Sequence, residues 1–174
     1  FKEVIERIIK LGFSENEFYF TILENDTGIK YSIGVKMIEE FSEVSALLYE
    51  GYIEDLKEIN NVIDSCVDEK GVFKGLIIIA DQISTFAENE IIKFKEGGLK
   101  MMYVKSPSYG VRRNEVMQDI ASLIGANVVR DISEFKKEDL GYVSKIISDF
   151  NKTILIGGEG SDDEVKERIK IVNE

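Results

Sequence analysis

Histidine is absent from this 174-residue chain, and cysteine and proline occur once each. Without histidine, the commonest general base and the commonest neutral metal ligand are both missing, which removes most hydrolase and zinc-centre chemistries at once. A lone cysteine closes no internal disulfide. Cys66 follows Ile59 and Ile63 at helical spacing and reads as a small buried hydrophobe in a reducing compartment, not as a nucleophile. Pro107 alone makes no proline-rich linker, and no repeat or low-complexity tract marks a boundary. Basic residues are also short: 22 Lys and Arg against 33 Asp and Glu give a formal net charge of -11. Nucleic-acid binding draws most of its affinity from clustered cations, so nucleic acid is not an expected partner. The pairs Arg112-Arg113 and Lys136-Lys137 read as solvated surface. The longest apolar run, Leu76 to Ala80, falls far short of the roughly 18 residues that a membrane span needs. No basic-then-apolar leader opens the chain, so a soluble protein without a membrane partner is expected.

What is present suffices for a core. Hydrophobic residues make up 44% of the chain, enough for one compact domain with a small appendage. Phe1 falls directly into an amphipathic pattern, which predicts a piece of a longer polypeptide. Val4, Ile5, Ile8 and Ile9 mark one face of a helix ending near Gly12. Two β-rich segments follow, Glu17 to Leu23 and Ile29 to Ile38, with Asp26-Thr27-Gly28 as the turn between them. From Ala46 the pattern alternates. Strands are predicted at Ala46 to Tyr49, Leu76 to Ala80, Leu99 to Val104 and Asn127 to Arg130, and helices at Ile53 to Val67, Thr85 to Lys95 and Arg112 to Ile124. Such alternation implies right-handed crossovers and a mainly parallel sheet covered by helices, an α/β fold. Thr85 with Glu88 reads as a capping box, and Gly97-Gly98 ends that helix. Tyr142 to Ile147 and Thr153 to Ile156 read as strands around a turn at Asp149 to Asn151, before a last helix from Asp162 to Val172.

Three features invite a chemical reading. Gly157-Gly158-Glu159-Gly160 leads from a strand toward a helix, but Asp163 stands where a dinucleotide loop has glycine, and the nearby carboxylates repel phosphate. Ser161 and Glu164 form a capping box, so a glycine turn before a helix is the better account. Asp81 follows an apolar strand. With Glu24, Asp26, Lys105 and Pro107 it has the outline of a receiver-like phosphoacceptor signalling domain, the alternative function. That alternative leaves the N-terminal helix and the C-terminal residues unexplained. The aromatic residues Phe13, Phe18, Tyr19, Phe20 and Tyr31 lack surrounding cations and fit strand core better than a base-stacking platform.

Three stretches carry a family resemblance in order and spacing. They are Gly75-Leu76-Ile77-Ile78-Ile79-Ala80-Asp81; the run from Gly98 through Lys105-Ser106-Pro107-Ser108-Tyr109-Gly110 to Arg112-Arg113; and Asp119-Ile120-Ala121 closing at Gly125. Leu140-Gly141 and Asn151-Lys152-Thr153 extend the pattern. The chain resembles the apical domain of a divergent group I chaperonin, the bacterial GroEL type. Residues 1-40 are similar to part of the intermediate domain and residues 41-174 to the apical domain, with the C-terminal residues returning toward the intermediate domain. The resemblance implies an apical-domain-like layered sheet with flanking helices, in a cytoplasmic protein that assembles as a homo-oligomeric ring when full length. It implies a module that binds non-native polypeptides, and a lid co-chaperonin, in a groove between the helices Ile53 to Val67 and Ser84 to Glu96. Carried over by position, the groove contacts are Asn60, Ile63, Ala87, Ile91 and Ile92. Asn60 and Ala87 stand where the family has leucines, so a more polar or narrower groove is expected. The family's aromatic-rich segment is missing after Phe41. ATP and magnesium belong to the equatorial domain of the full-length parent; this segment is expected to hold no cofactor, to be no enzyme and to be monomeric.

Overall fold

A computed structural model of the chain describes residues 18-25, 28-35, 39-107, 110-149 and 152-172. The predicted N-terminal helix, Asp26-Thr27 and Ser108-Tyr109 lie outside the described residues. Contacts divide the chain into two units. Described residues of 1-40 form one together with 147-154, and residues 41-146 with 155-174 form the other. In the first unit, β1 (Phe18–Asn25) pairs antiparallel with β2 (Gly28–Val35), with Asn25 opposite Gly28. This is the predicted hairpin.

Most of a second sheet, of order β5-β4-β3-β7-β8 with β6 also paired to β3, belongs to the larger unit. The strands of this sheet are β3 (Glu39–Ile53), β4 (Leu76–Ile83), β5 (Met101–Lys105), β6 (Val128–Val129), β7 (Gly141–Ser148) and β8 (Thr153–Gly158). The pairings of β3 with β4, β4 with β5 and β3 with β6 are all parallel. The residues that close the turn from β7 to β8 bond each other: Asp149 N donates to Lys152 O at 2.9 Å and Lys152 N to Asp149 Oδ1 at 3.0 Å.

Alternation along the central strands explains why Leu76 to Ala80 is apolar without interruption. Leu76, Ile78 and Ala80 enter one core, with Leu47 and Met101, whereas Ile77 and Ile79 enter another with Ala46, Leu48 and Met102. A strand covered on both faces has no polar side. The first core is closed by Leu56, Ile59, Val62 and Cys66 and by Ala87 and Ile91; the second is closed by Met117, Ala121 and Ile124. These residues lie on a 3-10 turn (Leu56–Ile59) and the helices α1 (Asn60–Ser65), α2 (Thr85–Glu96) and α3 (Gly110–Ile124), with Cys66 at the carboxyl cap of α1. A fourth helix, α4 (Asp162–Val172), is tied to α3 where Arg168 Nε donates to Asp119 Oδ1 at 2.6 Å. Among the described residues no helix is long and apolar enough to cross a membrane.

Several boundaries differ from expectation. The helix expected at Ile53 to Val67 begins later, because Ile53 completes β3 and Asp55 restarts the chain: its Oδ1 accepts from Lys57 N at 2.9 Å. The segment ends at Ser65, after which Asp68 Oδ1 accepts from Lys70 N and Val72 N, both at 2.9 Å, and holds the following loop. The cap of α2 is Ser84 rather than Thr85, its Oγ accepting from Ala87 N at 3.0 Å. Its end is a Schellman motif, with Gly98 at φ +82°, Gly98 N bonded to Lys95 O and Leu99 N bonded to Phe94 O. β3 starts at Glu39, well before Ala46, and contains Glu43 at φ +56°, a left-handed conformation uncommon for a residue with a side chain. That kink lies just after Phe41.

Candidate functional site

The chain entering the 3-10 turn is anchored to the amino end of α2. Ser84 N donates to Ile53 O at 2.9 Å, and Ser84 Oγ donates to the carbonyl of Glu54 while capping α2. One turn into α2, Glu90 Oε2 accepts from Leu56 N at 3.4 Å. Burial of Ala87 and Ile91 fixes the rotational phase of α2, and this last contact marks the flank that lies toward the 3-10 turn. Phe86, Glu90 and Lys93 share a stripe at spacings of four and three residues, so this stripe faces the 3-10 turn. Ile92, two residues past Glu90, is rotated roughly 200° away and points elsewhere.

The expected contact residues are therefore not equivalent. Ala87 and Ile91 are 0% and 4% exposed and belong to the first core, a correction to their expected place on a binding face. They occupy the inward phase of an amphipathic helix, where apolar side chains are driven by burial. Ile63 is half-buried and packs against the same core, and Asn60 is exposed. Ile92 is 47% exposed. Phe86, on the same stripe of α2 as Glu90, is a large apolar side chain 56% exposed, which sequence reasoning passed over. Its spacing to Glu90 and Lys93 was visible, but only the Glu90 to Leu56 bond shows which way that stripe points.

Asp81 lies within β4, not after it, and both of its oxygens are engaged. Ser106 Oγ donates to Oδ1 at 2.8 Å, and Arg113 Nη1 approaches Oδ2 at 3.0 Å. Arg113 is thus an internal tie from α3 to the sheet, a correction to its reading as solvated surface, whereas Arg112 is exposed. Glu24, part of the receiver-like outline, sits on β1 in the other unit. Among the described residues no group of three or more acidic or cysteine side chains could hold a metal ion.

The glycine segment serves packing. A Cβ on Gly160 would lie 1.7 Å from Ser122 O, and one on Gly158 would lie 2.3 Å from Leu123 O. The backbone of the segment presses on the last turn of α3, and Gly160 N donates to Leu123 O at 3.2 Å. Glu164 N donates to Ser161 Oγ at 3.3 Å, one half of the predicted capping box at α4. Cys66 is 4% exposed, and burial pushes its thiol up to about 11. Burial, together with Glu88 and Asp81 nearby, also raises the Tyr103 phenol.

No protein-family model matches the chain. Two curated relatives are both called chaperonin GroEL. That of Methanoregula boonei is 32% identical over 143 residues, covering 79% of this chain and 26% of the relative. That of Methanospirillum hungatei JF-1 is 30% identical over 168 residues, covering 87% of this chain and 31% of the relative. The crystal structure of the chaperonin gp146 from bacteriophage EL 2 (Pseudomonas aeruginosa), determined with ATP-BeFx, superposes with a TM-score of 0.54. It is 12% identical, over 90% of this chain and 32% of that one. The fold is thus the α/β, apical-domain-like sheet with flanking helices that the motifs implied. The chain spans about a quarter to a third of the length of these relatives. With identities of 30 to 32% across most of its residues and a fold shared with a solved chaperonin, this chain belongs to the chaperonin family.

Proposed function

We propose that the chain is the polypeptide-handling part of a group I chaperonin subunit, residues 41-174 forming the apical domain and residues 1-40 part of the intermediate domain. Its work is to bind non-native polypeptide, and a lid co-chaperonin, across the face made by the 3-10 turn, α1 and α2, the client wrapping over α2 so that Phe86 on one side and Ile92 on the other both meet it. In the full-length protein this face would belong to a cytoplasmic ring whose ATPase sits in another domain, so this segment binds neither ATP nor magnesium by itself. The observation that carries the reading is the alignment to chaperonin GroEL over 87% of the chain. The exposure of Phe86 and Ile92 on α2 supports it, since both apolar side chains are open to a partner.

The five carried-over contacts are revised on the same grounds. Ile92 and Asn60 remain available to a client, Ile63 in part, and Phe86 joins them; Ala87 and Ile91 act from beneath by holding α2 on the sheet. A chemically denatured client diluted into buffer should aggregate less with the 174-residue chain present, and Phe86→Ser with Ile92→Ser should abolish the protection. Aggregation unchanged by a large excess of the chain would overturn the reading.

A further inference from the structure

The face around Phe86 is acidic as well as apolar. Glu54 and Glu58 are exposed and Asp55 is half-buried. Two hydrogen bonds hold these residues beside the start of α2: Ser84 Oγ to the Glu54 carbonyl, and Leu56 N to Glu90 Oε2. Phe86 stands between those two tethers in sequence. The cations nearby do not balance the charge. Lys57 is engaged with Asp55 at 3.6 Å, and Lys93 lies two helical turns along the stripe. Asp55 and Glu58 each serve a local cap, but a carboxylate has about four lone-pair sites, so each retains acceptor capacity toward a partner.

Size and charge together restrict the occupant. One exposed ring removes too little apolar surface from water to hold a flexible chain against its ordering entropy. Four carboxylates on the two tethered segments, those of Glu54, Asp55, Glu58 and Glu90, supply the remainder for a cationic partner and oppose an anionic one. The chain's net charge of -11 extends the same preference to encounter. We infer that the face bordered by the 3-10 turn and the first two turns of α2 selects a basic amphipathic segment of a non-native polypeptide. The segment seats its apolar side on Phe86 and sets lysines or arginines against Glu54, Asp55, Glu58 and Glu90. The inference rests on the chaperonin reading and narrows its client class from any greasy segment to a basic one.

Two labelled peptides of equal length test it, identical at their apolar positions but carrying Lys and Arg in one and Glu in the other at the polar positions. Binding to the 174-residue chain is read by fluorescence anisotropy. The basic peptide should bind at least about tenfold tighter at low salt, with the gap closing as added salt shortens the screening length. Phe86→Ser and Glu54→Lys, both at exposed side chains, should each weaken the basic peptide several-fold while the circular dichroism spectrum stays unchanged. Equal affinity for the two peptides, or basic-peptide binding indifferent to Phe86→Ser, overturns the inference and leaves general capture standing. No binding of either peptide, together with no protection of a denatured client, overturns the chaperonin reading as well.

Discussion

Asp81 Oδ2 and Arg113 Nη1 lie 3.0 Å apart, joining the central strand β4 to α3 across the end of the sheet. Both side chains are mostly withdrawn from solvent, at 21% and 29% exposure, and Ser106 Oγ holds the other carboxylate oxygen. The carboxylate that looked most like a phosphoacceptor is therefore a structural tie.

Removing one partner leaves the other desolvated without compensation. Asp81→Ala should lower unfolding free energy by about 2 kcal/mol. Asp81→Asn, which keeps an acceptor for Ser106, should cost less. Urea titration measures both, and a neutral Asp81→Ala would show that the tie contributes nothing. Acetyl phosphate should leave no covalent label on the wild-type chain.

Burial separates the neighbours Ile91 and Ile92. Ile91→Ser places a hydroxyl in the first core and should cost about 3 kcal/mol or more. Ile92→Ser should change stability by under about 0.5 kcal/mol, because the side chain is half in water already. Thermal unfolding of the two variants distinguishes them, and equal midpoints would contradict the assigned phase of α2.

Gly160 tolerates no side chain, since an added Cβ meets Ser122 O at 1.7 Å. Gly160→Ala should destabilise by about 3 kcal/mol by pushing the segment off α3. Gly71, at φ +77° with nothing near its Cβ position, provides a contrast: Gly71→Ala meets only backbone strain, of about 1 kcal/mol. Comparable losses for the two would remove the packing explanation.

The Cys66 thiol gives a pH dependence whose sign is fixed. Its folded pKa of about 11 lies above the ordinary value of 9.0, so folding favours the neutral thiol. The contribution is fully present below about pH 9 and is lost as pH rises through about 11. The stability advantage of wild type over Cys66→Ala should be constant from pH 7 to 8.5 and shrink by pH 11. A difference flat across that range would mean that the thiol is not held neutral by burial.

Isothermal calorimetry of the 174-residue chain with magnesium-ATP should give no binding heat, because the proposed nucleotide site lies in another domain. A stoichiometric heat would reassign the chain's part in the subunit.

Much of the fold was legible because local rules and tertiary packing agree. The run from Leu76 to Ala80 carries no polar residue, and only a strand covered on both faces needs that. Gly97-Gly98 and Gly125 mark the ends of α2 and α3, where positive φ at Gly98 and Gly125 leaves glycine the favoured choice. The start of the segment after Ile53 was misplaced because its amphipathic spacing continues backward into a strand residue, and only the Asp55 cap decides the boundary. Ile91 and Ile92 were indistinguishable by type, adjacent in sequence and both apolar.

Amino-acid order by itself determined the family, the alternation of strands and helices, and the exclusion of histidine-based chemistry, since these depend on residue type and spacing along the chain. Tertiary structure alone decided which apolar residues face solvent, that Asp81 is bound by Ser106 and Arg113, and that Glu90 on α2 accepts from Leu56 N of a distant segment. Helix phase and side-chain pairing depend on contacts between residues about 30 positions apart, such as Glu90 with Leu56, and a pattern read along one segment carries no record of them.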